Sequence, residues 1–392
     1  MTSKSSFSKV LPVLFGFFIM GFVDIVGAAT HAIKDALGLS SFMAGLLPNF
    51  IFIWFLICAV PAGLMIRRFG RKTMVQVSNI VTLVGMLIPL PMLLGVMDLN
   101  LGVYLATFAL LGIGNTIIQV ALNPLLTNVV NKDRQPTFIT FGQSVKAVSS
   151  LVGPLLITFC TTSLGHWDWT FVIYAGLTLL SMLWLGLTEI PREERATGKG
   201  VSFADTFALL KDSFLLRMFI CIVIIVGIDV GMNCLIPEIF SKIYGYSQPQ
   251  MFISIYFACR VISAFVCGMM LLKMSPRKVL LWTMVGAIAA CVVMMLTLSS
   301  LPATIAPMVL FIVMFLPVTF ATANVFSIVF SLSLAHLPQK TDQISSLLIM
   351  GVAGGGLMTL IMGFTDSVVG RLAILLVCMG YIFFVALSEA RK

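Results

Sequence analysis

Four ionisable side chains stand where an apolar helix ordinarily has none: Asp24, Lys146, Asp229 and Arg260, each well inside a run of apolar residues. An acid in such a run can take up a proton or a cation, and a base can neutralise that acid or hold an anion. Amides surround them at helical spacing. Asn115, Gln119 and Asn123 recur at i, i+4 and i+8, which places them on one slowly drifting face of a helix. Gln143 and Lys146 share a face with Ser150, and Asn233 lies one turn beyond Asp229. Amides and carboxylates supply both donors and acceptors to a hydroxyl-rich ligand, while Trp or Phe can pack on its apolar face. Hydrolytic chemistry is not indicated, since neither a Ser/His/Asp set nor a His-Glu-x-x-His run is present. Thr197-Gly198-Lys199-Gly200 falls short of a phosphate-binding loop, so no nucleotide is expected either. The eight cysteines all fall inside apolar runs without metal-ligand spacing, and read as small buried hydrophobes. These residues describe a binding device, with no catalytic group, metal or cofactor.

The elements that must hold them follow from composition. The 392 residues are 59% hydrophobic and only 10% charged, with a mean hydropathy of +1.09, whereas soluble domains carry about 25% charged residues. An ordinary core cannot bury that much apolar surface, so lipid is the solvent, and a soluble enzyme, a disordered chain or a nucleic-acid binder is excluded. Runs of about 20 apolar residues predict twelve membrane-spanning helices, near 10–33, 41–66, 73–96, 101–130, 137–163, 168–188, 215–242, 250–273, 278–300, 303–335, 343–366 and 370–388. Barrel strands would alternate in segments of about ten residues, and these runs do not. Of the 24 Lys and Arg, Lys146 and Arg260 fall within spans and only Lys34, Lys242 and Arg371 fall on one side. The other nineteen lie opposite, which predicts both termini and the loop around Glu193 in the cytoplasm. The net charge of +9 is thus a matter of topology and not a nucleic-acid surface.

The longest polar stretch, from Glu189 to about Asp212, separates two sets of six spans. It predicts an N-terminal bundle over 1–190, a cytoplasmic linker over 191–213 and a C-terminal bundle over 214–392. A shift of 205 positions carries Asp24 onto Asp229, Gly63 onto Gly268 and Gln119 onto Asn324. That shift is the mark of duplicated halves, expected to meet around a central cavity.

The stretch Gly63-Leu-Met-Ile-Arg67-Arg-Phe-Gly70-Arg71-Lys72 resembles the signature loop of the major facilitator superfamily, Gly-x-Leu-Ala-Asp-Arg-x-Gly-Arg-Lys. The resemblance implies that Gly63, Arg67, Gly70 and Arg71 form a cytoplasmic gate. Arg67 departs from it, standing where the family usually has Asp. Phe42-Met-Ala-Gly-Leu46, Pro61-Ala-Gly-Leu64, Asn123-Pro124, Gln143, Gly354-Gly-Gly356, Met362-Gly-Phe364 and Asp366 are similar to the fucose:proton symporter family, which includes fucose and glucose/galactose carriers. That resemblance implies an all-α membrane fold and sugar transport in a bacterial cytoplasmic membrane. The family's proton-carrying Glu of span four corresponds here to Gln119, its span-one Asp to about Gly27, and its neutral residue in span five to Lys146.

Ion coupling is therefore expected at Asp24 first and Asp229 second. A substrate site is expected among Asn115, Gln119, Asn123, Gln143, Lys146, Asn233, Arg260 and Asn324. Ionisable groups at bilayer depth cost at least about 2.5–3.5 kcal/mol each, so the plainer alternative is that the four charges form structural ion pairs, with the amides joining helices. The expected function is secondary active transport of a sugar or related small polar solute by a monomer, through alternating access driven by protons or else sodium. A sugar acid held by Lys146 or Arg260 is the alternative substrate, and a non-transporting sensor of the same fold the alternative class.

Overall fold

The computed structural model describes residues 7–39, 41–131, 134–190, 202–246, 249, 251–365 and 367–391. Glu193 and the rest of 191–201, together with Asp366, lie outside them. The described residues form helices and turns, with no strand among them: α1 (Phe7–Met20), α2 (Val26–Leu37), α3 (Ser41–Phe69), α4 (Arg71–Leu87), α5 (Leu90–Leu93), α6 (Leu101–Val129), α7 (Gln135–Ser163), α8 (Trp169–Leu187) and α9 (Phe203–Phe207). The chain continues with α10 (Ser213–Lys242), α11 (Met251–Met270), α12 (Pro276–Ser300), α13 (Ile305–Val313), α14 (Phe315–His336), α15 (Thr341–Met350), α16 (Gly354–Met362) and α17 (Val368–Ala390). Among the described residues, twelve helical stretches are long and apolar enough to cross a membrane. Helix is the form these apolar runs must take, because it satisfies every backbone polar group inside its own segment. Side-chain caps mark several ends: Asn100 accepts from Gly102 N at 2.7 Å, and Asp212 accepts from Phe214 N at 2.8 Å and Leu215 N at 3.1 Å.

Besides the third span, which divides at Pro89 into α4 and α5, three spans that read as single runs in the sequence are interrupted. A 3-10 turn over Gly21–Ile25 separates α1 from α2, another over Gly351–Ala353 separates α15 from α16, and the tenth span restarts at α14. Hydropathy does not register these breaks, but glycine and proline do. Pro317, in the first turn of α14, cannot supply the N–H that would continue α13. At Gly21 a Cβ would lie 2.6 Å from Ser149 Cβ and 2.7 Å from the Lys146 carbonyl, so only glycine lets span one approach α7 this closely.

The chain packs as two compact units. The first comprises Met1–Gln135, Val145–Leu209 and Leu337–Met350. Within it α4 packs on α6 and α8, while α3 packs on α6 and on α15. The second comprises Pro136–Ser144, Leu210–His336 and Gly351–Lys392. Within it α10 packs on α14, α16 and α17, and α12 on α14 and α17. Each unit thus includes a short helical segment from the other half of the chain.

Those segments carry the repeat. In the first unit a Cβ on Gly63 would lie 2.5 Å from Ser346 Cβ, and in the second a Cβ on Gly268 would lie 2.5 Å from the Phe141 ring. Gly63 and Gly268 are 205 positions apart, and so are Phe141 and Ser346. The same helix contact is drawn twice, which is what a duplicated ancestor produces.

Glycines also furnish a stability test. A Cβ on Gly354 would strike the Val223 carbonyl, whereas nothing lies within 4 Å of one on Gly380. Gly354→Ala should cost about 1–3 kcal/mol by overpacking, while Gly380→Ala, in the middle of α17, should gain about 0.5–1 kcal/mol. Melting of the purified protein in detergent should rank them in that order. Equal midpoints would mean that the backbone around Gly354 yields freely.

Candidate functional site

Asp24 sits inside the 3-10 turn of span one. Its Oδ2 accepts from the Ser150 hydroxyl, and Lys146 Nζ lies 3.8 Å from the same oxygen. Ser150 is one turn beyond Lys146 and is 3.1 Å from that residue's carbonyl. The side chains of Lys146 and Asp24 keep 15% and 24% of their surface exposed, so the pair is not sealed.

The stripe on α6 leans on the same break. Asn115 Nδ2 donates to the Met20 carbonyl at 2.7 Å, at the entry to the 3-10 turn. Gln119 Nε2 donates to Asn115 Oδ1 at 2.6 Å, and Asn123 Nδ2 to the Gln119 carbonyl at 3.1 Å. All three amides are buried, and the first two form a chain ending on span one. Asn123 Oδ1 has no hydrogen-bond partner among the described residues, nor does Gln143 Nε2. Buried amide atoms of that kind are ordinarily met by water or a ligand.

The second unit holds a tighter cluster. Arg260 Nη1 on α11 donates to Asp229 Oδ2 on α10, and Tyr256 Oη, one turn earlier, lies 3.2 Å from Asp229 Oδ1. Tyr256 also lies 3.0 Å from Thr322 Oγ1 on α14. Asn233 Nδ2 returns to the Asp229 carbonyl at 2.9 Å, leaving Asn233 Oδ1 without a partner among the described residues. Asn324 is fully buried and donates to the Ser263 and Phe320 carbonyls at 3.2 and 2.8 Å, which ties α14 to α11. Its Oδ1 is likewise unpartnered among the described residues.

The signature loop is a third cluster. Gly70 adopts φ +87°, a turn that glycine permits between α3 and α4. Arg71, next in sequence, donates from Nε to Asp342 Oδ1 at 2.8 Å, and from Nη1 to the Pro124 carbonyl at 3.2 Å and to Asn128 Oδ1. Lys72 Nζ donates to the Gly186 and Thr188 carbonyls at 3.0 and 2.7 Å, a cation at the C-terminal end of α8. Arg67 has an acid in its vicinity after all. The Ser202 backbone and hydroxyl hold the Asp205 carboxyl below the usual carboxylate range, and the charges of Lys340 and Arg67 act in the same direction. A lowered carboxyl stays ionised at neutral pH and loses this support only as pH falls through its lowered value.

Five residues of these clusters escape a reading by charge and spacing: Tyr256, Thr322, Asp342, Asn128 and Asp205. Tyr256 and Thr322 are uncharged members of apolar runs, and a lone hydroxyl there is unremarkable. Asp342 lies 271 positions from Arg71, so no local pattern announces the pair.

A family model described as Major Facilitator Superfamily matches residues 13–360. A curated relative, the glucose/galactose transporter of Brucella abortus biovar 1 (strain 9-941), is 23% identical over 394 residues, covering 96% of this chain and 92% of that protein. Among solved structures, the transporter FucP in the outward conformation superposes with a TM-score of 0.82 at 19% identity, covering 98% of this chain and 99% of that one. The proton:xylose symporter XylE, bound to 6-bromo-6-deoxy-D-glucose, gives 0.74 at 14% identity, covering 97% and 94%.

Proposed function

The chain belongs to the Major Facilitator Superfamily, and from that premise we propose that it carries a neutral monosaccharide, or a solute of like chemistry, across the membrane by alternating access, coupled to a proton at Asp24. The observation that carries this reading is the Asp24–Lys146–Ser150 cluster on a broken helix. With Gln119 unable to exchange a proton, the half-buried acid Asp24 is the residue we assign to that role. Protonation converts its carboxylate to a neutral acid and frees Lys146 from its counter-charge, which changes the electrostatics of the site between the empty and loaded forms. The relative named for glucose and galactose and the neighbour named for xylose support a sugar as cargo.

Charge balance supports a neutral sugar. Lys146 faces Asp24 and Arg260 faces Asp229, so each buried cation is already matched by a carboxylate. Amides of α6, α7 and α10, with the unpartnered atoms of Asn123, Gln143 and Asn233, are the groups we assign to sugar hydroxyls. Arg71, bound to Asp342, and the glycines Gly63 and Gly70 are assigned to the cytoplasmic gate, with Arg67 beside them.

Counterflow in proteoliposomes with labelled glucose, galactose, fucose and xylose, and with their sugar acids, tests the reading. Exchange of at least one neutral sugar, stimulated by a pH gradient and indifferent to sodium, is expected. Exchange of sugar acids alone would replace it with the anion reading, which the 3.8 Å gap between Lys146 and Asp24 favours as second choice. Lys146→Ala separates these two, since loss of a counter-ion alters coupling and loss of an anion's partner destroys binding. Absence of any exchange would leave a sensor.

The orientation is tested separately. Both termini are assigned to the cytoplasm, so single cysteines at Glu193 and Asp98 on a cysteine-less background should label from opposite sides. Labelling of both from outside would reverse the assignment.

A further inference from the structure

Tyr256 lies outside the transport reading so far, although its ring is fully buried. Its hydroxyl lies 3.2 Å from Asp229 Oδ1 and 3.0 Å from Thr322 Oγ1. An ionised carboxylate can only accept, so the Tyr256 proton points to Asp229 and its oxygen is left to accept from Thr322. Three helices, α10, α11 and α14, are joined by one chain of hydroxyls with a fixed direction. Meanwhile Arg260, four residues after Tyr256 and on the same face of α11, takes the other carboxylate oxygen. Asp229 is therefore gripped at both oxygens from a single helix. A carboxylate held at one oxygen alone can turn about its broad terminal torsion.

We propose that Tyr256 is a positioning residue of this site: its hydroxyl fixes Oδ1 of Asp229 so that Oδ2 stays on Arg260, and through Thr322 it ties the state of that carboxylate to the tenth span. The functional half of this inference rests on the transport reading, because it assigns the Asp229–Arg260 pair to the ligand site. With the carboxylate fixed, the Arg260 guanidinium keeps one orientation within the ligand site. With the carboxylate free to turn, that orientation is lost while the helices stay packed.

Two measurements on the full-length protein test it. In detergent, without sugar, Tyr256→Phe should lower the melting midpoint by about 2 °C or more, and by clearly less in a background that also carries Asp229→Leu and Arg260→Leu, where the hydroxyl has lost its acceptor. An equal drop in both backgrounds would overturn the proposal, since a packing role does not depend on Asp229. In counterflow of labelled glucose, galactose and fucose, Tyr256→Phe should raise KM about tenfold, the loss of one buried hydrogen bond to a charged group, while the maximal rate stays near wild type. Thr322→Val keeps the bond to Asp229 and should raise KM less. An unchanged KM in Tyr256→Phe, with wild type exchanging the same sugar, also overturns the proposal. If wild type exchanges none of the sugars, the transport reading fails instead and the melting comparison still decides the link. If the doubly neutral background does not fold, the ordering of the Tyr256 and Thr322 variants decides it.

Discussion

Asp24→Asn is expected to abolish accumulation of sugar against a gradient while leaving exchange at equal concentrations intact. At a pH difference of one unit a one-proton carrier can concentrate its solute about tenfold, and the variant should reach equality and no further. The amide has the shape of the acid, and its oxygen still accepts from Ser150, so the 3-10 turn of span one keeps its contact with α7. What it cannot do is gain and lose a proton between the two sides. Lys146 loses its counter-ion in this variant, but a buried lysine can shed its proton and remain neutral, so the fold tolerates the change. Proton uptake accompanying sugar entry, recorded in lightly buffered vesicles, should vanish together with accumulation. Full gradient-driven uptake by Asp24→Asn would remove this residue from the coupling mechanism and pass the role to Asp229.

Much of this architecture is legible in the residues themselves. Twelve spans follow from apolar length, and the helices found agree with those runs to within a few residues at most ends. The repeat is legible as well, since the 205-residue shift that aligns Asp24 with Asp229 also relates the contact of Gly63 and Ser346 to that of Gly268 and Phe141. What hydropathy hides is where a span stops being a regular helix. The break that places Asp24 consists of Gly-Phe-Val-Asp-Ile, apolar apart from its one acid, and its mark is Gly21, where α7 approaches closely. Hydrogen-bond partners were hidden for a related reason. When nearly every face of a helix is apolar, periodicity does not say which face is buried, so a tyrosine such as Tyr256 carries no sign of the carboxylate it meets. Charged residues are legible because membranes penalise them, and hydroxyls are not because membranes hardly do.

That difference between charges predicts an asymmetry in the second unit, where deleting the acid should do far more damage than deleting the base. Asp229 and Arg260 are a mostly buried pair, with 15% and 16% of their side-chain surface exposed. In Arg260→Leu the orphaned carboxylate can take a proton, becoming a neutral acid that keeps its bond to Tyr256 as donor or acceptor. In Asp229→Leu the guanidinium has no such escape, because arginine stays charged at any accessible pH. Removing one partner of a buried pair costs about 3–5 kcal/mol, and here nearly all of it should fall on the acid variant. Asp229→Leu should therefore give little folded protein or a strongly lowered melting midpoint, while Arg260→Leu folds and loses mainly sugar affinity. The double replacement removes both charges and should restore folding without restoring transport. Folded yield and melting midpoint of the three variants in detergent settle the matter. Equal damage from the two single variants would mean that the guanidinium reaches water or other partners well enough to stand without Asp229, and that the pair is not what holds Arg260 in place.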